Sequence, residues 1–156
     1  MSQNPGDRLS FSPDDDRPKR QAENKKLVER TLDECGLRPD RFITNEELEL
    51  YYDIAQFHRG MGYIAKGWDD PGFRVGDVVL VPSGKLDALK ERLPDLMKYC
   101  ATRGVAMTGE KLTGDTFEFH LDSVIYSDGF NQKVFAQVWE CLTDCAGKFR
   151  VVFASL

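Results

Sequence analysis

Glu118, His120 and Asp122 stand at every second position of one segment, so an extended backbone aims all three at the same side. Same-face neighbours on a strand lie roughly 7 Å apart, too wide for one compact metal site built from that strand alone. A neighbouring pair can nevertheless share a proton or a water. His120 beside Glu118 has the chemistry of a general acid/base, with Asp122 as orienting carboxylate. A contrasting reading is a solvated sheet face on which Lys148 and Arg150 of another strand balance the carboxylates. Burial separates the two, because groups withdrawn from water must be paired or shifted in pKa.

His58 and Tyr51 belong to a second suggestive stretch, in which Tyr51, Tyr52, Phe57, Met61, Tyr63 and Trp68 crowd together just before Asp69 and Asp70. Such a run either fills a core or lines a pocket. Trp68, Asp69, Asp70 and Tyr63 form the candidate binding surface, since aromatics beside acidic groups suit a basic partner. Gly60-Met61-Gly62 and Ser83-Gly84-Lys85 lack the spacing of phosphate loops. No serine stands in a nucleophile elbow. Cys141 and Cys145 are four apart on an expected helix, as two metal ligands would be, but they read as small apolar thiols of a buried stripe. No metal and no cofactor is expected.

The elements that must position these groups follow from periodicity. Leu27, Val28, Thr31, Leu32 and Cys35 predict a first helix over 22–36 with Gly36 as its C-terminal cap. Thr44 with Glu47 looks like a capping box, and Leu48, Tyr51 and Ile54 predict a second helix over 45–66. Val78 to Val81 predict a strand covered on both faces. Leu86 to Cys100 read as helix, kinked or split by Pro94 and stopped by Gly104. Val105–Thr108 is a short strand with an exposed edge on which a second copy could pair. Thr116–Tyr126 is the clearest strand, with Phe117, Phe119 and Leu121 opposite the ionisable set. A helix with Val134, Val138, Cys141, Leu142 and Cys145 follows, and Phe149, Val151 and Phe153 alternate as a final strand after Gly147.

From about residue 73 this order predicts an α+β fold with a ferredoxin-like split βαβ core over 73–156, plus two additional N-terminal helices able to cover the remaining sheet face. Residues 1–21, with three prolines and few large apolar side chains, read as a disordered tail before a single domain over 22–156.

The chain has 156 residues, 21 Lys and Arg against 26 Asp and Glu, and a net charge of -5. That balance opposes phosphate-backbone affinity, so no nucleic acid is expected as partner. No apolar run approaches the roughly 20 residues of a membrane span, so no membrane is expected either. Four cysteines with no secretory signal point to a cytoplasmic protein with free thiols. The leading expectation is a non-catalytic, cytosolic protein-binding module of regulator, adaptor or inhibitor type, monomeric or homodimeric. The alternative is a small enzyme or ligand-binding domain whose pocket lies between the sheet face and the N-terminal helices, using Glu118 and His120 with Asp122, His58 and Tyr51.

Overall fold

Pro18 pre-sets the backbone of a first helical turn, and α1 runs Arg17–Glu34, beginning five residues before the expected start at Ala22. Gln21, Val28, Thr31 and Leu32 form its buried stripe. Gly36 ends it at φ +72°, with the Leu37 amide donating to Leu32 O and the Gly36 amide to Asp33 O, a glycine-capped terminus. The computed structural model describes residues 15–47, 49–54, 62–111 and 115–156. The expected tail therefore has only its last residues in view, and those from Arg17 onward are helical.

After α1 the chain makes β1 (Arg41–Thr44), β2 (Leu50–Ile54), β3 (Gly62–Lys66) and β4 (Gly72–Pro82). The short helices α2 (Leu86–Lys90) and α3 (Leu93–Ala101) lead to β5 (Ala106–Lys111) and β6 (Thr116–Tyr126), and α4 (Gln132–Ala154) follows. The described strands form one antiparallel sheet in the order β1-β2-β3-β4-β6-β5. The fold is α+β. Pro94 stands in the first turn of α3, which is how it separates α2 from α3, and Gly104 at φ +71° closes α3.

Two expected elements are different in kind. The second helix over 45–66 is a strand, a stretch outside the described residues, and another strand. Leu50, Tyr52 and Ile54 are buried while Tyr51 and Asp53 are half-buried on the other face, so period two prevails over the helical spacing. The apparent capping box is a loop turn: Asn45 Oδ1 accepts the amides of Glu47 and Glu49. At the other end the final strand is the last part of α4. Phe135, Leu142, Cys145, Ala146 and Phe149 make one buried helical stripe that continues through Gly147, whose Cβ position is open space. A glycine there costs the helix only about 1 kcal/mol.

These two changes correct the ferredoxin-like expectation. Strands β4 and β6 do pair in the middle of the sheet, with β5 outside β6. The fourth strand that such a unit requires beside β4 does not come from the C-terminus; β3 occupies that place. Among the described residues one N-terminal helix is present instead of two, and it lies with the others: α1, α3, α4 and one sheet face share a single core cluster containing Val28, Leu32, Phe73, Leu96, Phe119 and Phe149.

Among the described residues, the opposite sheet face carries no helix. Val78 is buried there by its neighbours Tyr63 and Ala65, whereas Leu80 on the same face is exposed, so the expectation of cover on both sides of β4 fails. On the helical side Asp77 is buried among apolar groups and faces Arg150 of α4 at 3.4 Å, while its Oδ1 accepts the Val78 amide. Arg150 thus answers a buried carboxylate across the core, not the Glu118 face. Cys100 of α3 and Cys145 of α4 are buried free thiols beside one another, and burial pushes the Cys145 thiol up to about 12.

Candidate functional site: the uncovered sheet face

The strand registers arrange the uncovered face in rows. One row runs Arg41, Asp53, Tyr63, Gly76, Asp122, Ala106 across the whole sheet. Beside it on one side run Val78, His120 and Thr108; on the other, Ile43, Tyr51, Ala65, Arg74 and Val124. Together they floor a groove of about 850 Å³ lined by Tyr51, Asp53, Tyr63, Arg74, Glu118, His120 and Asp122, with Asp40, Arg41, Thr108 and Gly109 towards its rims.

Tyr63 sits at the centre. Its ring lies across Gly76 of the next strand, where a Cβ would fall 2.6 Å from Cε1 and nearer still to Cζ and Oη. A strand glycine here marks a close approach that no other residue permits. Tyr51 stacks on Tyr63 with centroids 5.8 Å apart, and His120 meets it edge-on at 6.3 Å. Only 5% of Tyr63 is exposed although no helix among the described residues covers it. Its hydroxyl donates to Asp122 Oδ2 at 3.4 Å. Burial first, and the Asp122 charge second, hold the Tyr63 proton far above the ordinary tyrosine range.

Glu118 Oε1 lies against His120 Nε2, with 18% and 28% of the two side chains exposed. The contact lacks hydrogen-bond geometry, so Nε2 is a buried nitrogen without a hydrogen-bond partner. Asp53 is engaged by Arg41 at 2.8 Å. Three of the five residues proposed for acid/base chemistry, Glu118, His120 and Asp122, therefore share the groove with a fourth, Tyr51. His58 lies outside the described residues. The pocket is not between the sheet and N-terminal helices, because α1 packs on the far face. Among the described residues no three His, Cys, Asp or Glu side chains converge as metal ligands would.

The residues expected to form a binding surface separate. Trp68, Asp69 and Asp70 occupy the β3–β4 loop beside α1, where Arg17 and Arg20 each stand 5.8 Å from the Trp68 ring centroid. Asp70 closes the loop by accepting the Gly67 amide, and buried Lys66 donates to the carbonyls of Gly67 and Asp70. Trp68 is thus partnered within the chain, and Tyr63 belongs to the other side of the sheet. Sequence reasoning missed Arg74, Asp53 and Gly76. Their signal was the strand period of 50–54 and an isolated glycine within a strand.

A pH titration checks the burial of the tyrosines. Tyr52 and Tyr63 both hold their protons more tightly folded than unfolded, chiefly through burial. Stability is unaffected by them below about pH 10, the ordinary tyrosine value, and is lost as pH rises beyond it, on the order of 1 kcal/mol per pH unit for each. The expected ultraviolet titration shows these two of the five tyrosines ionising only as the protein unfolds.

No protein-family model and no curated protein matches the chain. Among solved structures it is similar to an uncharacterized protein from Methanothermobacter thermautotrophicus, at 12% identity and a TM-score of 0.58, over 83% of this chain and 98% of that one. This likeness concerns the fold alone.

Proposed function

We propose that the protein is a non-catalytic, cytoplasmic binding module that holds a basic segment of a partner protein on the uncovered face of its sheet, as a regulator, adaptor or inhibitor would. One observation carries the reading: a groove of about 850 Å³ in which two stacked tyrosines adjoin the carboxylates of Asp53, Glu118 and Asp122. Aromatic faces and carboxylates together attract ammonium and guanidinium groups. Among the described residues, four of the six exposed large apolar side chains, Ile43, Leu80, Val124 and Tyr126, lie on this same face, in keeping with an interaction surface.

Calorimetric titration with deca-lysine at low salt tests it. Glu118→Gln/Asp122→Asn is expected to weaken binding at least tenfold, about 1.4 kcal/mol. Asp69→Asn/Asp70→Asn, which removes the same two charges from the Trp68 loop, is expected to leave it within twofold. Equal losses in both variants, or none in either, would remove this face as the site.

A second reading is favoured by the Glu118–His120 contact at the groove floor: a small-molecule site in which the pair moves a proton. It requires a bound ligand that shifts the His120 ring resonances in NMR. A fragment screen that leaves those resonances unmoved disposes of it.

A further inference from the structure

Strand β5 ends the sheet, so the outer N–H and C=O groups of Ala106–Lys111 have no neighbouring strand among the described residues. The groove is low at this edge. Opposite Asp122 and His120, β5 presents the small side chains of Ala106 and Thr108, and Gly109 contributes none.

Charge is also uneven along the groove. Its arginines, Arg41 and Arg74, stand on β1 and β4, and Arg41 is spent on Asp53. On the β5–β6 side the lining, among the described residues, is Thr108, Gly109, Glu118, His120 and Asp122, acidic with no lysine or arginine.

A strand added outside β5 would run about 4.8 Å from it and roughly 10 Å from β6. A stretched lysine or arginine side chain reaches roughly 6–7 Å, and the carboxylates of β6 cover most of the remainder. Larger side chains at 106 and 108 would block that crossing. On the other face the added strand would border Met107, half-buried against the core, where an uncharged side chain fits.

We infer that β5 accepts an added strand: an extended partner segment, with basic residues at alternate positions, pairs its backbone with Ala106–Lys111 and lays a lysine or arginine across Ala106 and Thr108 onto Glu118 and Asp122. This rests on the binding reading above and specifies the partner's conformation. Main-chain pairing supplies affinity, and the acidic groove supplies specificity.

The test uses an acetylated, amidated nonapeptide of alternating threonine and lysine against the full chain. Its expected signature is binding with NMR shifts in the amides of 106–111, and roughly tenfold weaker binding to Thr108→Arg. The same peptide N-methylated at its interior amides keeps every charge and is expected to lose binding at least tenfold. If the N-methylated peptide binds equally well, strand addition is wrong while an electrostatic groove survives. If the parent peptide binds but Glu118→Gln/Asp122→Asn makes no difference, the groove reading fails while edge pairing stands. No binding at about 1 mM overturns the inference outright.

Discussion

Replacing Phe149 with alanine is expected to cost about 3–5 kcal/mol, a large share of the total stability of a domain this size. The ring is fully buried, lies tilted against Phe119 of β6 with centroids 4.9 Å apart, and belongs to the cluster that joins α4 to the sheet. Truncation leaves a hole bounded by a helix and a sheet that cannot both close on it. Urea denaturation should show a lower midpoint with an unchanged slope. Val151→Ala, two residues on and 67% exposed, should change stability by less than about 0.5 kcal/mol. If this segment were a strand with Phe149 and Val151 on one face, the two substitutions would have similar effects, so the pair also distinguishes helix from strand.

The second large effect is expected from Gly76→Ala. One methyl group there enters the space of the Tyr63 ring, which Tyr51, His120 and Asp122 already confine. The expected cost is about 1–3 kcal/mol from overpacking. Deca-lysine affinity should fall with it, because the ring organises the groove. The check is a double-mutant cycle. In a Tyr63→Ala background the added methyl meets no ring, so Gly76→Ala should cost little, giving a coupling well above 0.5 kcal/mol. Additive effects would mean that ring and glycine do not touch.

The parts of the fold that follow directly from the residues are those where one period has no competitor. In 116–126 the phenylalanines and Leu121 fall on even spacing and the ionisable residues between them, so the strand and its two faces are legible together. Pro94 and Gly104 mark boundaries by backbone geometry alone. The stretch 45–66 was ambiguous because Leu48, Tyr51 and Ile54 fit a helix while Leu50, Tyr52 and Ile54 fit a strand. Pairing with the β3 backbone and burial against α1 decide it, and neither is local. At 148–153 the alternation of Phe149, Val151 and Phe153 was a coincidence within a longer helical stripe.

The candidate site divides the same way. That Glu118, His120 and Asp122 share a face follows from period two. That Tyr63 stands beside Asp122 requires the registers of β3, β4 and β6, in which Gly76 lies between them. Trp68, Asp69 and Asp70 are close to Tyr63 in sequence, but the turn after β3 sends them to the opposite side of the sheet.

The paired thiols of Cys100 and Cys145 make the molecule its own strain gauge. Alkylation proceeds through the thiolate, and a thiol held near 12 in the closed core scarcely supplies one at neutral pH. Labelling of Cys145 must therefore wait for α3 to part from α4, and its rate measures how often that seam opens. Because α3 leads into β5, a partner clamped on that outer strand would be felt as slower labelling on the far side of the sheet.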